Sequence, residues 1–184
     1  RDRELRSQPE NSGATFLIPD GPLLESVNLS GLPLRHVYTT RASRTSCENF
    51  SSLLRSTSTT LPHPGKDPKE SLAALPYSSG TTGMPKGVML SHSNLVTNVY
   101  QVLGVNAAPL VASDVILCFL PLYHIYGLTV ALTLSLALGS TLVLMPRFDI
   151  PKLCSLITQE GVTMMPVVPP AINAMCQAAE AGNF

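Results

Sequence analysis

The chain has 184 residues, 45% of them hydrophobic and 13% charged, with twelve basic residues balancing twelve acidic ones. That length suits one domain with a real core. The charge balance excludes nucleic acid or an anionic membrane surface as a partner recruited by net charge.

The elements are read in chain order. Residues Arg1–Ser12 are polar and predicted helical, Ala14–Ile18 reads as a strand, Pro22–Leu29 as a short helix and Arg35–Tyr38 as a second strand. Gly13, Gly21 and Gly31 punctuate this βαβ-like unit. Residues 39–70 are expected to form an exposed loop, because Thr39–Pro68 are rich in Ser, Thr and Pro. His63 in that loop reads as a solvated side chain. Leu72–Tyr77 is a predicted strand entering a glycine-rich loop, and Val88–Leu90 a strand leaving it. Ser91 or Ser93 then caps a helix whose apolar residues Leu95, Val99, Val102 and Leu103 share one face. His92 reads as a residue of that capping region.

Val115–Leu120 is an apolar run ended by Pro121, with Cys118 expected as a small core residue. Leu128–Leu138 poses a conflict. Its alternation of large and small residues argues for a strand, and its Leu- and Ala-rich composition for a buried helix. Gly127–Met145 carries no charge over nineteen residues, but Gly139-Ser140 interrupts it, so buried core is preferred to a membrane span. Thr141–Met145 returns as a strand, Ile150–Glu160 as a helix, Thr163–Val167 as a strand and Ala171–Ala179 as a helix. Strands alternating with helices predict an α/β fold, a layered parallel sheet with flanking helices.

Two segments carry chemistry. Tyr77–Val88 packs Ser78, Ser79, Thr81 and Thr82 with Gly80, Gly83 and Gly87 and a single cation, Lys86. Glycines leave backbone N–H groups open to an anion, and hydroxyls add donors, which suits a polyphosphate. The segment is no Walker loop, because Gly87 follows the lysine and the glycine spacing differs. From Ser71 to Pro146 the only formal charges are Lys86 and Asp114, so Lys86 is expected to be buried beside an anionic partner. The second segment is Leu120-Pro121-Leu122-Tyr123-His124-Ile125-Tyr126-Gly127-Leu128. His124 there follows a strand end, where α/β sheets place binding residues, although a satisfied core histidine would read the same.

These two motifs, in this order, resemble those of adenylate-forming enzymes, with wording nearest the 4-coumarate–CoA ligase, acyl-CoA synthetase and luciferase branch. The resemblance implies a helix at Leu128–Leu138 and an acyl-CoA synthetase-like N-terminal domain spanning residues 1–184. It also implies an acid–thiol ligase using ATP, Mg2+ and coenzyme A to activate a carboxylic acid through an acyl-adenylate. Ser78, Ser79, Gly80, Thr81, Thr82, Gly83 and Lys86 would hold the phosphates, with Thr81 on the metal. His124 and Tyr126 would lie beside the acyl group and its carboxylate, and Val130 one helical turn further along the same face. Arg147 matches a basic position near the coenzyme A phosphates, and a solvated strand-end charge is the equal alternative.

The same resemblance places the adenine-binding stretch, an acidic Mg2+ ligand, a ribose-binding aspartate and a C-terminal lid with its catalytic lysine after Phe184. An incomplete site, inactive alone and awaiting that C-terminal part, is therefore expected. A luciferase-like or peptide-synthetase adenylation unit and a truncated, non-catalytic nucleotide-binding protein remain open alternatives. Cys47, Cys118, Cys154 and Cys176 form no CxxC pair, which speaks against zinc and for a reducing compartment. With no charged-then-apolar leader and no terminal peroxisomal tripeptide, the expected location is cytoplasmic, a peroxisomal one staying open for a full-length parent.

Overall fold

The computed structural model describes residues 2–25, 27–41, 47–55, 57, 60, 67–78, 85–105 and 109–182. In chain order these form α1 (Asp2–Ser12), β1 (Phe16–Leu17), α2 (Gly21–Leu24), β2 (His36–Thr39), β3 (Glu48–Asn49) and α3 (Ser51–Leu54). There follow β4 (Leu72–Ala74), β5 (Tyr77–Ser78), β6 (Lys86–Gly87), β7 (Leu90–Ser91), α4 (His92–Val105) and β8 (Val115–Cys118). A π-helical segment, Gly127–Thr133, runs into α5 (Leu134–Leu138), and β9 (Thr141–Leu144), α6 (Ile150–Glu160) and α7 (Pro169–Glu180) complete the order. Two compact units result, one of Arg1–Gly65 with Thr82–Gly87 and the other of Lys66–Thr81 with Val88–Phe184.

The first unit is built on a parallel sheet of order β1-β2-β3. Phe16, His36 and Tyr38 stack along one of its faces, with ring centroids 5.0 and 6.1 Å apart. Beyond the strand ends, the Arg41 guanidinium forks onto the Asp20 carboxylate and holds its pKa below the ordinary value. β3 and α3 lie inside the stretch expected to be one exposed loop, so that expectation is corrected. The sheet edge of β2 pairs Tyr38 with Glu48 and Thr39 with Asn49, which supplies backbone partners that local composition does not reveal. His63 lies outside the described residues.

In the second unit β8 and β9 pair in parallel over four residues, Val115 to Cys118 against Thr141 to Leu144, and Ile116 bridges Met164 in parallel on the other side. That single bridge is all that forms of the strand expected at Thr163–Val167. An antiparallel pair, β4 with β7, departs from the parallel pairing of β8 with β9. Adjacent residues of β8 point to opposite layers. Ile116 packs with Val99 of α4 and Leu134 of α5, whereas Leu117 packs with Met145 and with Leu153 and Leu156 of α6. Both strand side chains are wholly buried. A strand covered on both faces must be apolar throughout, which is why Val115–Cys118 shows no alternation.

Local chemistry caps α4 and α6, whereas the helix expected at Pro22–Leu29 is only the four-residue α2. Ser91 caps α4, its hydroxyl accepting from the Asn94 N–H at 3.2 Å while the Asn94 carbonyl accepts from the Ser91 N–H at 2.9 Å. Asp149 caps α6 through the Lys152 N–H at 2.8 Å, and Gly161 ends it with φ +64°. The starts of β8 and β9 and the approach to the Met164 bridge are tied by one residue. Asp114 accepts from the Val111 N–H and from the Thr163 hydroxyl, both at 2.7 Å, and its backbone carbonyl accepts from Thr141 N–H at 3.1 Å. Among the described residues no helix is long and apolar enough to cross a membrane.

Two stability predictions follow from this packing. Leu117→Ala should lower unfolding free energy by about 2–5 kcal/mol, whereas Leu136→Ala, at a side chain 74% exposed, should stay within about 0.5 kcal/mol. Denaturant midpoints of the two variants test this, and equal losses would deny the two-faced burial of β8. The Val111 N–H and then the Thr163 hydroxyl hold the Asp114 carboxyl below its ordinary 3.8. A depressed folded pKa gives stability that is full above the unfolded value and lost as pH falls through the folded one. Asp114→Asn should therefore flatten the acid side of the stability–pH curve below about pH 4 and leave its shape above pH 6 unchanged.

Candidate active site

The Val88 N–H donates to the Pro76 carbonyl at 2.8 Å, so the two ends of the glycine- and hydroxyl-rich segment are held together. Ser79, Gly80, Thr81, Thr82 and Gly83 lie outside the described residues. Lys86 opens β6 and is exposed, so the expected burial of its ammonium is corrected. Exposure keeps the charge hydrated and leaves its stem free to move toward an anion.

Tyr123 and His124 come from a tight turn beyond the carboxyl end of β8. Pro121 closes it, its carbonyl accepting from the His124 N–H at 3.0 Å. His124 then starts the next helix. Its carbonyl accepts from the Leu128 N–H at 2.9 Å, and its Nδ1 accepts from the Tyr126 N–H at 3.2 Å. An imidazole nitrogen that accepts carries no proton, so the neutral ring holds its hydrogen on Nε2 and presents a donor away from the helix. Histidine thereby fills the role usually taken by Ser, Thr, Asp or Asn at a helix start. Sequence reading had left His124 open between core and site; it is exposed, and it is not a core residue.

The helix that follows is not regular. Gly127–Thr133 is wound as a π-helix, and hydroxyls support its ladder, Thr133 donating to the Leu128 carbonyl and Thr129 to the Ile125 carbonyl, each at 2.8 Å. Such widened turns collect at functional sites. Gly127 is required by contact: a Cβ there would overlap the Pro121 carbonyl oxygen and lie 3.0 Å from its carbon. Any larger residue would push the helix off the turn that presents His124.

The two motifs meet. A cavity of about 250 Å³ is lined by Pro76, Tyr77 and Ser78 of the first, by Val88 and Leu90, and by Tyr123, His124 and Ile125 of the second. Hydroxyl and imidazole groups face the same space as apolar side chains, the mixture a small polar–apolar ligand needs. Tyr126 and Val130 are half-buried on the helix and do not belong to this lining. A second cavity of about 330 Å³ sits past the ends of β8 and β9, lined by Cys118–Tyr123 and by Leu144, Met145 and Pro146. Arg147, exposed, follows directly on that wall. Burial pushes the Cys118 thiol up, so it stays protonated and behaves as packing. Among the described residues no three His, Cys, Asp or Glu side chains gather as a metal site.

Ser78 and His124 were expected from sequence. Ile125, Leu90 and Val88 also line the cavity, and no polar group in their side chains marks them as site residues in the sequence.

The chain is similar to known proteins over nearly its whole length. A family profile described as AMP-binding enzyme matches residues 1–183. The 4-coumarate–CoA ligase 5 of Oryza sativa subsp. japonica is 40% identical over 177 residues, covering 95% of this chain and 32% of the relative. Among solved structures, a long-chain-fatty-acid–CoA ligase from Archaeoglobus fulgidus matches with TM-score 0.84 at 28% identity, over 98% of this chain and 35% of that one. O-succinylbenzoate coenzyme A synthetase from Bacillus subtilis, in complex with ATP and magnesium ion, matches with TM-score 0.70 at 26% identity, over 96% of this chain and 34% of that one. The chain thus spans about a third of the length of these relatives.

Gly127→Ala should cost on the order of 1–3 kcal/mol through overpacking against Pro121. Gly104→Ala in α4, where an added Cβ meets nothing within 4 Å, should gain up to about 1 kcal/mol. Equilibrium unfolding of the pair checks both signs.

Proposed function

The chain belongs to the AMP-binding enzyme family, and we propose that the protein it forms part of is an acid–thiol ligase. In the first step a carboxylate oxygen attacks the α-phosphorus of ATP, the bond to pyrophosphate breaks, and an acyl-adenylate remains. In the second the coenzyme A thiol, losing its proton, attacks the acyl carbonyl and AMP leaves. The observation that carries this reading is the convergence of Ser78 and His124, from separate motifs, on one cavity.

Two anions must meet in the first step, so donors must offset charge and fix the approach. Ser78, at the edge of the cavity, donates to a phosphate oxygen. Ser79, Gly80, Thr81, Thr82 and Gly83 continue that cradle through backbone N–H groups and hydroxyls, and Lys86 supplies the mobile positive charge. His124 uses its Nε2–H on an oxygen between the carboxylate and the α-phosphate, its ring oriented by the Tyr126 N–H on Nδ1. Thr81 would hold Mg2+ through its hydroxyl, and the ion would offset phosphate charge there. Tyr126 and Val130 are assigned to the acyl group on the resemblance of the second motif alone. The cavity at the ends of β8 and β9 suits the apolar part of the thiol's arm, and Arg147 its phosphates. Four free thiols fit the reducing cytosol, which is the compartment we assign.

ATP–pyrophosphate exchange by the protein containing this chain, run over a panel of carboxylic acids, tests the reaction. His124→Ala and Lys86→Ala should each lower acid-dependent exchange roughly ten- to hundredfold, the loss of a hydrogen bond to a charged group. Exchange at the parent rate in both variants would remove these residues from the site. Exchange without thioester on adding coenzyme A would favour an adenylation unit of another kind.

A further inference from the structure

The helix behind His124 is wound in two ways, and the change of winding fixes where the histidine stands. Its first turn is α, with the Leu128 N–H on the His124 carbonyl, and α5 beyond Thr133 is α again. Between them the ladder widens, the Leu134 N–H reaching the Thr129 carbonyl as well as that of Ala131. The π-segment therefore holds one residue more than an α-helix on the same course. α5 cannot turn to absorb it, because Leu134 is wholly buried and packed with Val99 and Ile116. Any change of winding must act upstream. Rewound as α, the segment would give each upstream place to the following residue, a rotation of about 100°. Ile125 would then stand where His124 stands. Leu128 would bring a Cβ to the place of Gly127, where it would overlap the Pro121 carbonyl oxygen.

Two threonines bond back onto this helix, and they differ in reach. Thr129 donates to the Ile125 carbonyl, four residues back, a bond that regular α-helices also contain. Thr158 makes the same bond in α6, to the Cys154 carbonyl at 3.2 Å. Thr133 donates to the Leu128 carbonyl, five residues back, at 2.8 Å. In an α-helix a threonine hydroxyl reaches the carbonyls three and four residues back and not the fifth. The Thr133 bond thus belongs to the π winding alone, and a bond made in one of two states is what biases the choice between them. Thr133 lines neither of the cavities above, so it acts only through the winding.

We propose that Thr133 is a positioning residue: its hydroxyl holds the π winding, and the winding holds His124 at the cavity. The inference rests on the ligase reading above, in which the His124 Nε2–H serves the reacting carboxylate and phosphate. Nucleotide binding belongs to the other motif and does not depend on this winding. A histidine turned off its line therefore loses rate and not affinity.

The test is acid-dependent ATP–pyrophosphate exchange by the whole enzyme, with kcat and the KM for ATP taken separately. Thr133→Val keeps the shape and removes the hydroxyl. It should lower kcat about tenfold and leave KM within about twofold. Thr133→Ser, which keeps the hydroxyl, should hold kcat within about threefold of the unaltered enzyme. Thr133→Ala repeats the test should the valine variant not fold. Thr158→Val, which removes a threonine bond from a regular helix, should change neither constant. Adding Thr133→Val to His124→Ala should cause no further loss, because the side chain it serves is gone. An unchanged kcat in Thr133→Val, a serine variant as slow as the valine one, or losses that multiply in the double variant would overturn the proposal. An unaltered enzyme inert toward every acid would end the ligase reading and this one with it. An active enzyme that tolerates His124→Ala would remove the histidine from the site, and the positioning role with it. Impairment by His124→Ala with none by Thr133→Val would end this inference alone.

Discussion

The second unit depends on the burial of one strand from both sides. Ile116 and Leu117 are adjacent in sequence and face opposite layers, so β8 fixes α4 and α5 on one side and α6 on the other. At the amino end of the strand the Asp114 carboxylate and the Thr163 hydroxyl lock the register of its neighbours. At the carboxyl end the chain has nowhere to go but out of the sheet, and Pro121 turns it there. A rigid strand with a pinned start delivers its exit residues to a fixed place. His124 is six residues beyond the end of β8 and inherits that precision.

From that exit, helix geometry does the remaining positioning. The Tyr126 N–H and the Gly127–Pro121 contact act on the same turn from two directions. The first sets which imidazole nitrogen carries the proton, and the second sets how closely the helix sits on the turn. Since the neutral ring must donate through Nε2, the orientation of a single side chain follows from backbone hydrogen bonds. A loop histidine without a helix behind it would have both tautomers and many rotamers open. The π-wound segment beyond Gly127 continues the same economy, because its threonine hydroxyls take carbonyls that the widened ladder leaves poorly served.

Much of this was legible in the sequence where one segment decides its own structure. Ile150–Glu160 is a helix with the predicted ends because Asp149 and Gly161 cap it locally. Ser91 caps α4 for the same reason. Leu128–Leu138 is helical, as composition and family resemblance held, and its strand-like alternation has another cause. Gly127, Thr129, Ala131 and Ser135 are buried beside Leu134 while Leu136 is exposed, so the burial follows the faces of a helix and not the alternation of a strand. Sequence reading failed where partners are remote. β3 exists because β2 offers an edge, and the exposure of Lys86 depends on what surrounds it, not on how few charges are near it in sequence. The cavity shared by Ser78 and His124 joins residues of both motifs with Leu90 of β7, which no local pattern brings together.

The site's two walls imply two kinds of binding energy in the proposed reaction. Tyr123 is 87% exposed and Val88 43%, and both line the cavity that Ser78 and His124 share. Large apolar side chains held in water at a cavity mouth mark a surface meant to be covered. An acyl group supplies that cover, gaining about 25 cal/mol for each Å² of apolar surface removed from water, without any directional demand. The reacting carboxylate and phosphate need the opposite, donors at set positions with no freedom to follow the ligand. Apolar contacts tolerate a range of acids, while the hydroxyl and imidazole demand one geometry at the reacting end.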